Sequence, residues 1–208
     1  MSLTHLSLFS GIGGLDIAAQ WADMRTVGFC EWAEYPRGIL QARWPGVPVW
    51  EDIQTLTKGD FHERTGYRTV DVISGGFPCQ PFSNAGKRKG VDDERYLWPE
   101  MLRVISELRP AWVVGENVAG IVSMAESIAG IKVENSELTR NPDSDYYRGV
   151  YTRQETMLLP KIIQDLESVG YDVQTFIIPA CGVDAPHYRD RVAIIAHTNS
   201  LSCGTWWP

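Results

Sequence analysis

The chain has 208 residues, of which 44% are hydrophobic and 22% charged, which is typical of globular domains rather than of disordered or coiled-coil chains. The length predicts one large domain or one domain plus a fragment. A domain of this length buries roughly 70% of its unfolded-chain surface and is therefore stable without disulfides or a structural metal. Twenty-six acidic and nineteen basic residues give a net charge of −7. Charge-driven binding of nucleic acid over the whole surface is therefore excluded, and any DNA contact must be local.

Neither a signal peptide nor a membrane span is indicated at the start of the chain. No basic region follows Met1, and three glycines interrupt the apolar residues of the segment. The cysteines lie far apart, at Cys30, Cys79, Cys181 and Cys203. They form no Cys-x-x-Cys pair and have no histidine at zinc-ligand spacing. We therefore expect a cytoplasmic protein in a reducing compartment, without a metal and without a membrane partner.

Apolar, β-branched segments alternate with helical patterns along the chain. In chain order, the predicted strands are 6–9, 26–30, 70–74, 112–114, 173–179 and 192–196. The predicted helices are 15–24, 36–44, 98–108 and 158–169, because their apolar residues recur at intervals of three and four. This alternation predicts an α/β fold with a doubly wound sheet, parallel strands joined by right-handed crossovers, and helices on both faces. Ligands of such sheets bind beyond the carboxyl ends of the strands.

The stretch 130–153 breaks this periodicity. It is polar and rich in turn-forming residues, with Asn141-Pro142-Asp143 near its middle, and it predicts an exposed insertion. We expect one domain over 1–197 that contains this insertion, followed by a short tail over 198–208.

A glycine-rich turn, Phe9-Ser-Gly-Ile-Gly-Gly14, follows the first predicted strand. Gly11, Gly13 and Gly14 would let the backbone approach a ligand closely, and a plain tight turn is the alternative. The dinucleotide-binding fingerprint fails here, because Asp16 stands where the third glycine is required.

Acidic residues follow the next two strands. Glu31 comes about twenty residues after the glycine turn, where an acidic side chain in nucleotide-binding sheets accepts hydrogen bonds from ribose hydroxyls. A solvated surface carboxylate is the alternative. Asp52 and Ile53 follow the apolar segment 47–50 and could offer an adenine ring an acceptor and an apolar contact.

The most distinctive segment is 71–83, Asp-Val-Ile-Ser-Gly-Gly-Phe-Pro-Cys-Gln-Pro-Phe-Ser. Its glycines and prolines hold Cys79 rigidly at a strand end, which favours a reactive thiol over the commoner buried structural cysteine. A nucleophilic cysteine must be a thiolate, so nearby cations or hydrogen-bond donors have to lower its pKa from about 8.5.

Two further strand ends supply partners for such a thiol. Glu116 follows an apolar strand, where desolvation would favour its neutral form and let it carry a proton near neutral pH. A helix-capping acid is the alternative. Arg189 and Arg191 stand two residues apart just before the last strand, so in an extended conformation both would face the same side. A surface ion-pair ladder with Asp190 is the alternative.

In this order and spacing, these segments resemble the DNA (cytosine-5)-methyltransferase family. The resemblance is carried by Phe9-Ser-Gly-Ile-Gly-Gly14, Glu31, Asp52-Ile53, Gly76-Phe-Pro-Cys-Gln80, Glu116-Asn-Val118 and Arg189-Asp-Arg191. It covers the chain except 130–153 and the residues beyond 197. It implies a Rossmann-like catalytic domain of the S-adenosylmethionine-dependent methyltransferase type. The implied cofactor is S-adenosylmethionine, and the implied substrate is cytosine in duplex DNA.

The resemblance also implies residue roles. Cys79 matches the nucleophile that adds to C6 of cytosine, and Glu116 matches the group that protonates N3. Arg189 and Arg191 match residues that hold the base or organise its pocket. The implied cofactor contacts are Phe9, Gly11, Gly13, Gly14, Glu31, Asp52, Ile53, Pro78 and Leu97.

The stretch 83–95 follows the nucleophile directly and contains basic residues between glycines. Because a ring carbon inside stacked DNA is unreachable, such an enzyme flips its target base and closes over it. We expect this stretch to be the closing element, and a solvated loop is the alternative. Its predicted DNA contacts are Ser83, Lys87, Arg88 and Lys89.

The chain departs from the family pattern in sequence and in length. Ser7 stands where most members have aspartate, and His187 stands where they have glutamine. The family's target recognition domain and last cofactor-side motif do not fit into this length. If the missing part covers the first strand and its helix, the chain should self-associate, with Trp206 and Trp207 covering some of the gap.

Three hypotheses follow from these departures. In the first, an active catalytic domain depends on a second polypeptide or a longer parent chain. In the second, the chain is an inactive remnant that binds cofactor or DNA. The third is a nicotinamide-dependent oxidoreductase, which the broken glycine fingerprint disfavours.

Overall fold

The computed structural model describes residues 2–78, 96–123, 125–127 and 155–198. The helices are α1 (Gly14–Trp21), α2 (Glu34–Arg43), α3 (Lys58–Thr65), α4 (Trp98–Leu108) and α5 (Leu158–Ser168). The strands are β1 (Thr4–Leu8), β2 (Arg25–Cys30), β3 (Val49–Trp50), β4 (Val72–Gly75), β5 (Trp112–Val118), β6 (Ala125–Ser127), β7 (Glu155–Met157), β8 (Tyr171–Ile178) and β9 (Arg191–Thr198). Short 3-10 helices at Ile53–Thr55, Ala119–Val122 and Ala180–Val183 follow β3, β5 and β8.

Seven strands form one sheet in the order β3-β2-β1-β4-β5-β9-β8. The first five of these pair in parallel, which confirms the predicted mostly parallel α/β sheet. The chain runs outward from β1 through β2 to β3 and then returns to β4 on the other side of β1. The switch point of the topology therefore lies between β1 and β4, where doubly wound sheets bind their ligands.

The last strand, β9, is antiparallel to both of its neighbours, β5 and β8. The antiparallel pairing in the mostly parallel sheet is therefore confined to this edge. The connection from β8 to β9 contains only the short 3-10 helix Ala180–Val183, whereas a parallel crossover usually contains a full α-helix. As a result, β9 begins where β5 ends, and Arg191 pairs with Val118.

The two helices with the strongest apolar faces have almost the predicted bounds. α4 buries Trp98, Met101, Val104, Ile105 and Leu108, and α5 buries Leu158, Leu159, Ile162 and Leu166. The helix α3 was not predicted, because it buries a single apolar residue, Phe61, and its start is fixed by the Thr57 side chain, which accepts from the Asp60 backbone N–H. The small two-stranded sheet of β6 and β7 was not predicted either.

One half of one sheet face is only partly covered. Ser7, Ser74, Val114 and Ile195 follow one another in register from β1 to β9, so their side chains share a face. On this face Trp112 of β5 is 40% exposed, and Phe176 and Ile178 of β8 are 49% and 48% exposed. The side chains of residues 5–8 in β1, in contrast, are buried. Exposed apolar side chains therefore lie on β5 and β8, and Leu3, Ile12 and Trp21 are also exposed around the first strand and its helix.

The insertion predicted at 130–153 and almost all of the predicted tail lie outside the described residues, so the predicted domain bounds remain a prediction. Within the described ranges, no helix has the length and apolar character needed to cross a bilayer.

Candidate active site

The carboxyl ends of β1 to β5 bring most of the predicted site residues to one edge of the sheet. The glycine turn follows β1, Glu31 follows β2, and Asp52 and Ile53 follow β3. Residues 76–78 follow β4, and Glu116 lies two residues before the end of β5. Because β9 is antiparallel, its first residue, Arg191, reaches the same edge. Five predicted site residues lie outside the described part of the chain: Cys79, Ser83, Lys87, Arg88 and Lys89.

Glu116 and Arg191 form an ion pair across the β5–β9 junction. The distance from Nε of Arg191 to Oε1 of Glu116 is 2.7 Å, and the side chains are 28% and 38% exposed, respectively. The expected desolvation of Glu116 is therefore not observed, because the sheet face that carries it is partly open. The guanidinium also donates from Nη1 to the Asp190 carbonyl at 2.9 Å. The pair leaves further guanidinium donors available for a ligand.

The chain leaves β4 through two glycines that sit in tight surroundings. A Cβ on Gly75 would lie 3.1 Å from the Leu8 carbonyl oxygen, and a Cβ on Gly76 would lie 3.0 Å from Oε2 of Glu116. Any side chain at either position would force its neighbours to move. The segment that continues to Cys79 therefore starts directly beside the Glu116 carboxylate.

Asn117 ties this segment to β5, a role the sequence reasoning missed. Its Nδ2 donates to the carbonyl of Phe77 at 2.9 Å, and its Oδ1 accepts from the backbone N–H of Val118 at 2.9 Å. Asn117 and Phe77 are each 3% exposed. Phe77 also packs against Trp98 of α4, with ring centroids 5.1 Å apart. The backbone just before Pro78 is thus held from two sides.

Arg189 does not share the position of Arg191. The strand β9 begins only at Arg191, and Arg189 is exposed with a backbone φ of 27°. The predicted common face of the two arginines requires an extended backbone from 189 to 191, so that prediction is wrong.

Among the other cysteines, Cys30 is buried and free, whereas Cys181 is exposed. Burial raises the pKa of the Cys30 thiol to about 12, so Cys30 stays protonated near neutral pH. It is therefore unsuited to act as a nucleophile.

The glycine turn is held by backbone contacts and leaves space beside it. Ser10 donates to the Cys30 carbonyl at 3.1 Å, and Gly13 donates to the Ser10 carbonyl at 3.0 Å. Gly13 has a φ of +89°, and a Cβ there would lie 2.6 Å from the Trp44 ring. In contrast, a Cβ on Gly11 or Gly14 would meet nothing within 4 Å. The turn therefore packs on one side and faces open space on the other.

Both carboxylate oxygens of Glu31 are fixed by backbone N–H groups. Gly11 donates to Oε2 at 2.7 Å, and Ala33 donates to Oε1 at 2.8 Å. Each oxygen keeps a further lone pair that can accept from a ligand hydroxyl. Beside Glu31, the indole of Trp32 is 74% exposed and the side chain of Ile12 is 59% exposed. The sequence reasoning assigned no role to Trp32 or Ile12, because a single exposed apolar residue carries no periodic signal.

The remaining predicted cofactor residues differ in how they can act. Asp52 caps the following 3-10 helix by accepting from the Gln54 N–H at 2.9 Å, and Ile53 is only 4% exposed and belongs to the core. Phe9, with a φ of 53°, and Leu97 are partly buried against that core. Pro78, which is also partly buried, is the last described residue before Cys79.

A buried polar cluster lies beneath the glycine turn. His5 contacts the hydroxyls of Thr26 at 2.9 Å and Ser74 at 2.7 Å, and Ser7 donates to Oδ2 of Asp16 at 3.0 Å. Oδ1 of Asp16 has no hydrogen-bond partner and lies 3.7 Å from Nδ1 of His5. Burial raises the pKa of Asp16 to about 6 and lowers the pKa of His5 to about 4. This cluster joins the first turn of α1 to β1.

The arrangement fits a nucleoside-bearing ligand at the glycine turn. It combines the open space beside Gly11 and Gly14, a carboxylate fixed at the end of β2 and an exposed indole next to it. Across the described ranges, no group of histidine, cysteine and acidic side chains could hold a metal ion.

Known proteins resemble this chain both in sequence and in fold. The profile of the C-5 cytosine-specific DNA methylases matches residues 3–138 and 148–204. Type II methyltransferase M.AquIA of Picosynechococcus is 31% identical over 92% of the chain and 71% of its own length. M.PspPI of Psychrobacter is 33% identical over 96% of the chain but only 41% of its own length. M.NgoMIV of Neisseria gonorrhoeae is 29% identical over the whole chain and 56% of its own length.

Solved structures share the fold at lower sequence identity. A DNMT2 variant of Spodoptera frugiperda superposes over 100% of the chain and 53% of its own length, with a TM-score of 0.68 and 21% identity. The Dnmt2 methyltransferase of S. pombe covers 95% of the chain and 51% of its own length, with a TM-score of 0.66 and 22% identity. The chain thus spans 41% to 71% of the length of these three relatives and about half of the length of the two solved structures. The profile match over almost its full length shows that the chain belongs to the C-5 cytosine-specific DNA methylase family.

Proposed function

We propose that this chain transfers the methyl group of S-adenosylmethionine to C5 of a cytosine in duplex DNA. The observation that carries the proposal is the Glu116–Arg191 ion pair beside Gly76, at the edge from which the chain continues to Cys79. This places an acid and a cation next to the start of the segment that carries the thiol. A thiol near a cation is the arrangement that favours the reactive thiolate.

The reaction needs a nucleophile because C5 of cytosine is a poor one by itself. The Cys79 thiolate adds to C6, and the electron pair displaced from the C5–C6 double bond makes C5 able to attack an electrophile. S-adenosylmethionine supplies an electrophilic methyl group on a sulfonium. After transfer, a solvent water or hydroxide takes the proton from C5 and the bond between C6 and the Cys79 sulfur breaks, which restores the ring and the thiolate.

In its protonated form Glu116 supports this addition by giving its proton to N3 of the base, which draws electrons away from C6, and N3 returns the proton when the thiolate leaves. Arg191 holds the Glu116 side chain in place through the 2.7 Å contact, and its free donors hold an oxygen of the base. Asn117 fixes the backbone before Pro78 and thereby positions Cys79. Arg189, which stands outside β9, acts on the rim of the base pocket.

The glycine turn would hold the cofactor. The backbone of Gly11, Gly13 and Gly14 would contact the methionine part, and Glu31 would accept from the ribose hydroxyls with its remaining lone pairs. The indole of Trp32 and the ring of Phe9 would contact the adenine. The carboxylate of Asp52 would accept from the adenine amino group, and Pro78 and Leu97 would line the pocket. Ile53 supports this wall mainly from the core.

DNA binding and closure depend on parts beyond the described residues. We propose that the base is flipped out of the duplex and that Ser83, Lys87, Arg88 and Lys89 contact the DNA backbone around it. Recognition of a DNA sequence comes from a second polypeptide or from a longer parent chain, since the relatives extend well beyond the matched region.

Transfer of labelled methyl groups to mixed-sequence duplex DNA, compared between the chain and its Cys79→Ala variant, tests the proposal. Incorporation that disappears in the variant supports it. A duplex with fluorine at C5 adds a second readout, because C5 cannot lose a proton and the adduct with Cys79 accumulates for mass spectrometry. Binding of S-adenosylmethionine without incorporation, even with candidate partners added, favours an inactive remnant. Absence of both binding and incorporation overturns the proposal.

A further inference from the structure

A groove of about 690 Å³ opens at the amino edge of the sheet, on the side opposite the candidate active site. The start of β2, the carboxyl-terminal ends of α1, α2 and α3, and the loop 45–48 form its walls. None of the residues placed in the proposed reaction lines this groove. Its volume lies within the range of about 300–1,000 Å³ that is usual for small-molecule sites.

The charge of the groove is opposite to that of the chain. Three arginines line it, Arg25, Arg43 and Arg64, against one acidic residue, Asp23, whereas the whole chain carries a net charge of −7. Arg64 is 4.0 Å from the carboxylate of Asp60. Among the described residues, neither Arg25 nor Arg43 has a carboxylate within ion-pair distance. Two guanidinium groups in the groove are thus uncompensated by a neighbouring acid.

Each of these guanidinium groups is already ordered by an aromatic ring. Arg25 lies 5.5 Å from the ring centroid of Tyr67 and also donates to its hydroxyl. Arg43 lies 5.3 Å from the centroid of Trp44, and Arg64 lies 4.2 Å from that of Trp50. Stacking restricts the side chains before a ligand arrives, so less entropy is lost when they bind one.

We propose that this groove binds a phosphate-bearing ligand, carried either by a free nucleotide or by a nucleic-acid strand. Guanidinium groups match the oxygens of a phosphate with paired donors, and several positive charges suit a dianionic phosphate better than a single carboxylate. The proposal is independent of the proposed methyl transfer, because the groove and the candidate active site lie at opposite edges of the sheet.

Isothermal titration with inorganic pyrophosphate, a nucleoside monophosphate and a short single-stranded oligonucleotide tests the proposal. We expect saturable binding to the unmodified chain and at least tenfold weaker binding to the double variant Arg25→Gln, Arg43→Gln. The matched control is Arg68→Gln, which removes one charge from an exposed residue outside the groove. It should bind with unchanged affinity.

The single variant Arg43→Gln keeps the test valid if the double variant does not fold, because Arg43 is exposed and its guanidinium lies over the Trp44 ring at the surface. If the oligonucleotide binds more tightly than pyrophosphate, the ligand of the groove is a nucleic-acid strand. If it binds equally or more weakly, the ligand is a free nucleotide. Three results would overturn the proposal: no saturable binding, equal weakening by Arg68→Gln, or equally tight binding of polyglutamate.

Discussion

The side-chain amide of Asn117 donates a 2.9 Å hydrogen bond from Nδ2 to the backbone carbonyl of Phe77, two residues before Cys79. The same side chain accepts from the Val118 N–H, so one buried amide links the exit of β4 to the end of β5. Glu116 is the adjacent residue on β5, which means that the proposed proton donor and the tether of the thiol segment share one stretch of backbone.

Replacing this amide should reduce methyl transfer without affecting cofactor affinity. Asn117→Asp keeps the acceptor for Val118 but loses the donor to Phe77, and a displacement of about 1 Å at a reacting group can slow a reaction about 100-fold. Single-turnover rates and a cofactor titration measure the two effects separately. A drop in cofactor affinity that matches the drop in rate would contradict a role confined to the thiol segment.

Removing the proposed proton donor should have a larger effect on the chemical step. Glu116→Gln keeps the size of the side chain but cannot deliver a proton, and general acid catalysis contributes about 100-fold to 10,000-fold. The control is Glu63→Gln on the exposed surface of α3. Methyl transfer by Glu116→Gln at the rate of this control would show that N3 is not protonated by Glu116.

The buried pair of Asp16 and His5 predicts two opposing contributions to stability. The pKa of Asp16 is raised to about 6 by burial, so the folded chain keeps a proton that the unfolded chain has lost, and stability falls as the pH rises to that value. The pKa of His5 is lowered to about 4, so the unfolded chain holds the extra proton, and stability rises over pH 4 to 6.5. The two effects nearly cancel in the unmodified chain.

Single variants should therefore reveal the pH dependence of the unfolding free energy that each group contributes. Relative to the unmodified chain, the free energy of unfolding of Asp16→Asn should increase by about 3 kcal/mol between pH 4 and 6.5, whereas that of His5→Gln should decrease by a similar amount. Urea denaturation across this range measures both, with Asp23→Asn in the exposed turn after α1 as the control. Flat differences for both variants would show that neither group titrates as its burial requires.

Two glycines of the turn should respond differently to alanine. At Gly13 a Cβ would overlap the Trp44 ring and the φ is +89°, and such strain costs about 1–3 kcal/mol. At Gly14, the first residue of α1, a Cβ meets nothing within 4 Å. We expect Gly13→Ala to lower the free energy of unfolding and weaken cofactor binding, and Gly14→Ala to be as stable as the unmodified chain. Equal stability of the two variants would refute the packing argument.

The partly open sheet face predicts self-association at high concentration. Phe176 and Ile178 of β8 expose apolar surface on this face, in register with the exposed Val118 of β5, and apolar patches promote contact between molecules. Light scattering after size-exclusion chromatography should show a mass that rises with concentration. The double variant Phe176→Thr, Ile178→Thr should reduce the rise, and Val183→Ser, outside the sheet, should not. A monomer at all concentrations would contradict the prediction.

The sequence predicted those elements whose own residues carry the signal. The helix α4 has the predicted bounds because its apolar residues form one continuous stripe. The helix α3 was missed because a polar helix held by one cap and one buried Phe61 has no stripe. The direction of β9 could not be predicted either, since it depends on contacts with β5 that are distant in sequence.

The candidate site was predictable to a similar degree. The rule that function lies after the carboxyl ends of parallel strands identified the glycine turn, Glu31 and Glu116. It could not identify the 2.7 Å contact between Glu116 and Arg191, because cross-strand register is a tertiary property. The role of Asn117 was hidden for the same reason, since its partner Phe77 is 40 residues away in sequence.

Because β9 is paired with β5 and β8, its strand pairing fixes the position of Arg191 independently of the loop that precedes it. Seven residue pairs with β5 and eight with β8 set the register of this strand, and a slip of one residue would turn Arg191 to the opposite face. The connection 179–190 takes no part in that pairing. Apart from Arg189, its length and sequence can therefore change during evolution, or be exchanged by an engineer, while the Arg191 guanidinium keeps its contact with Glu116.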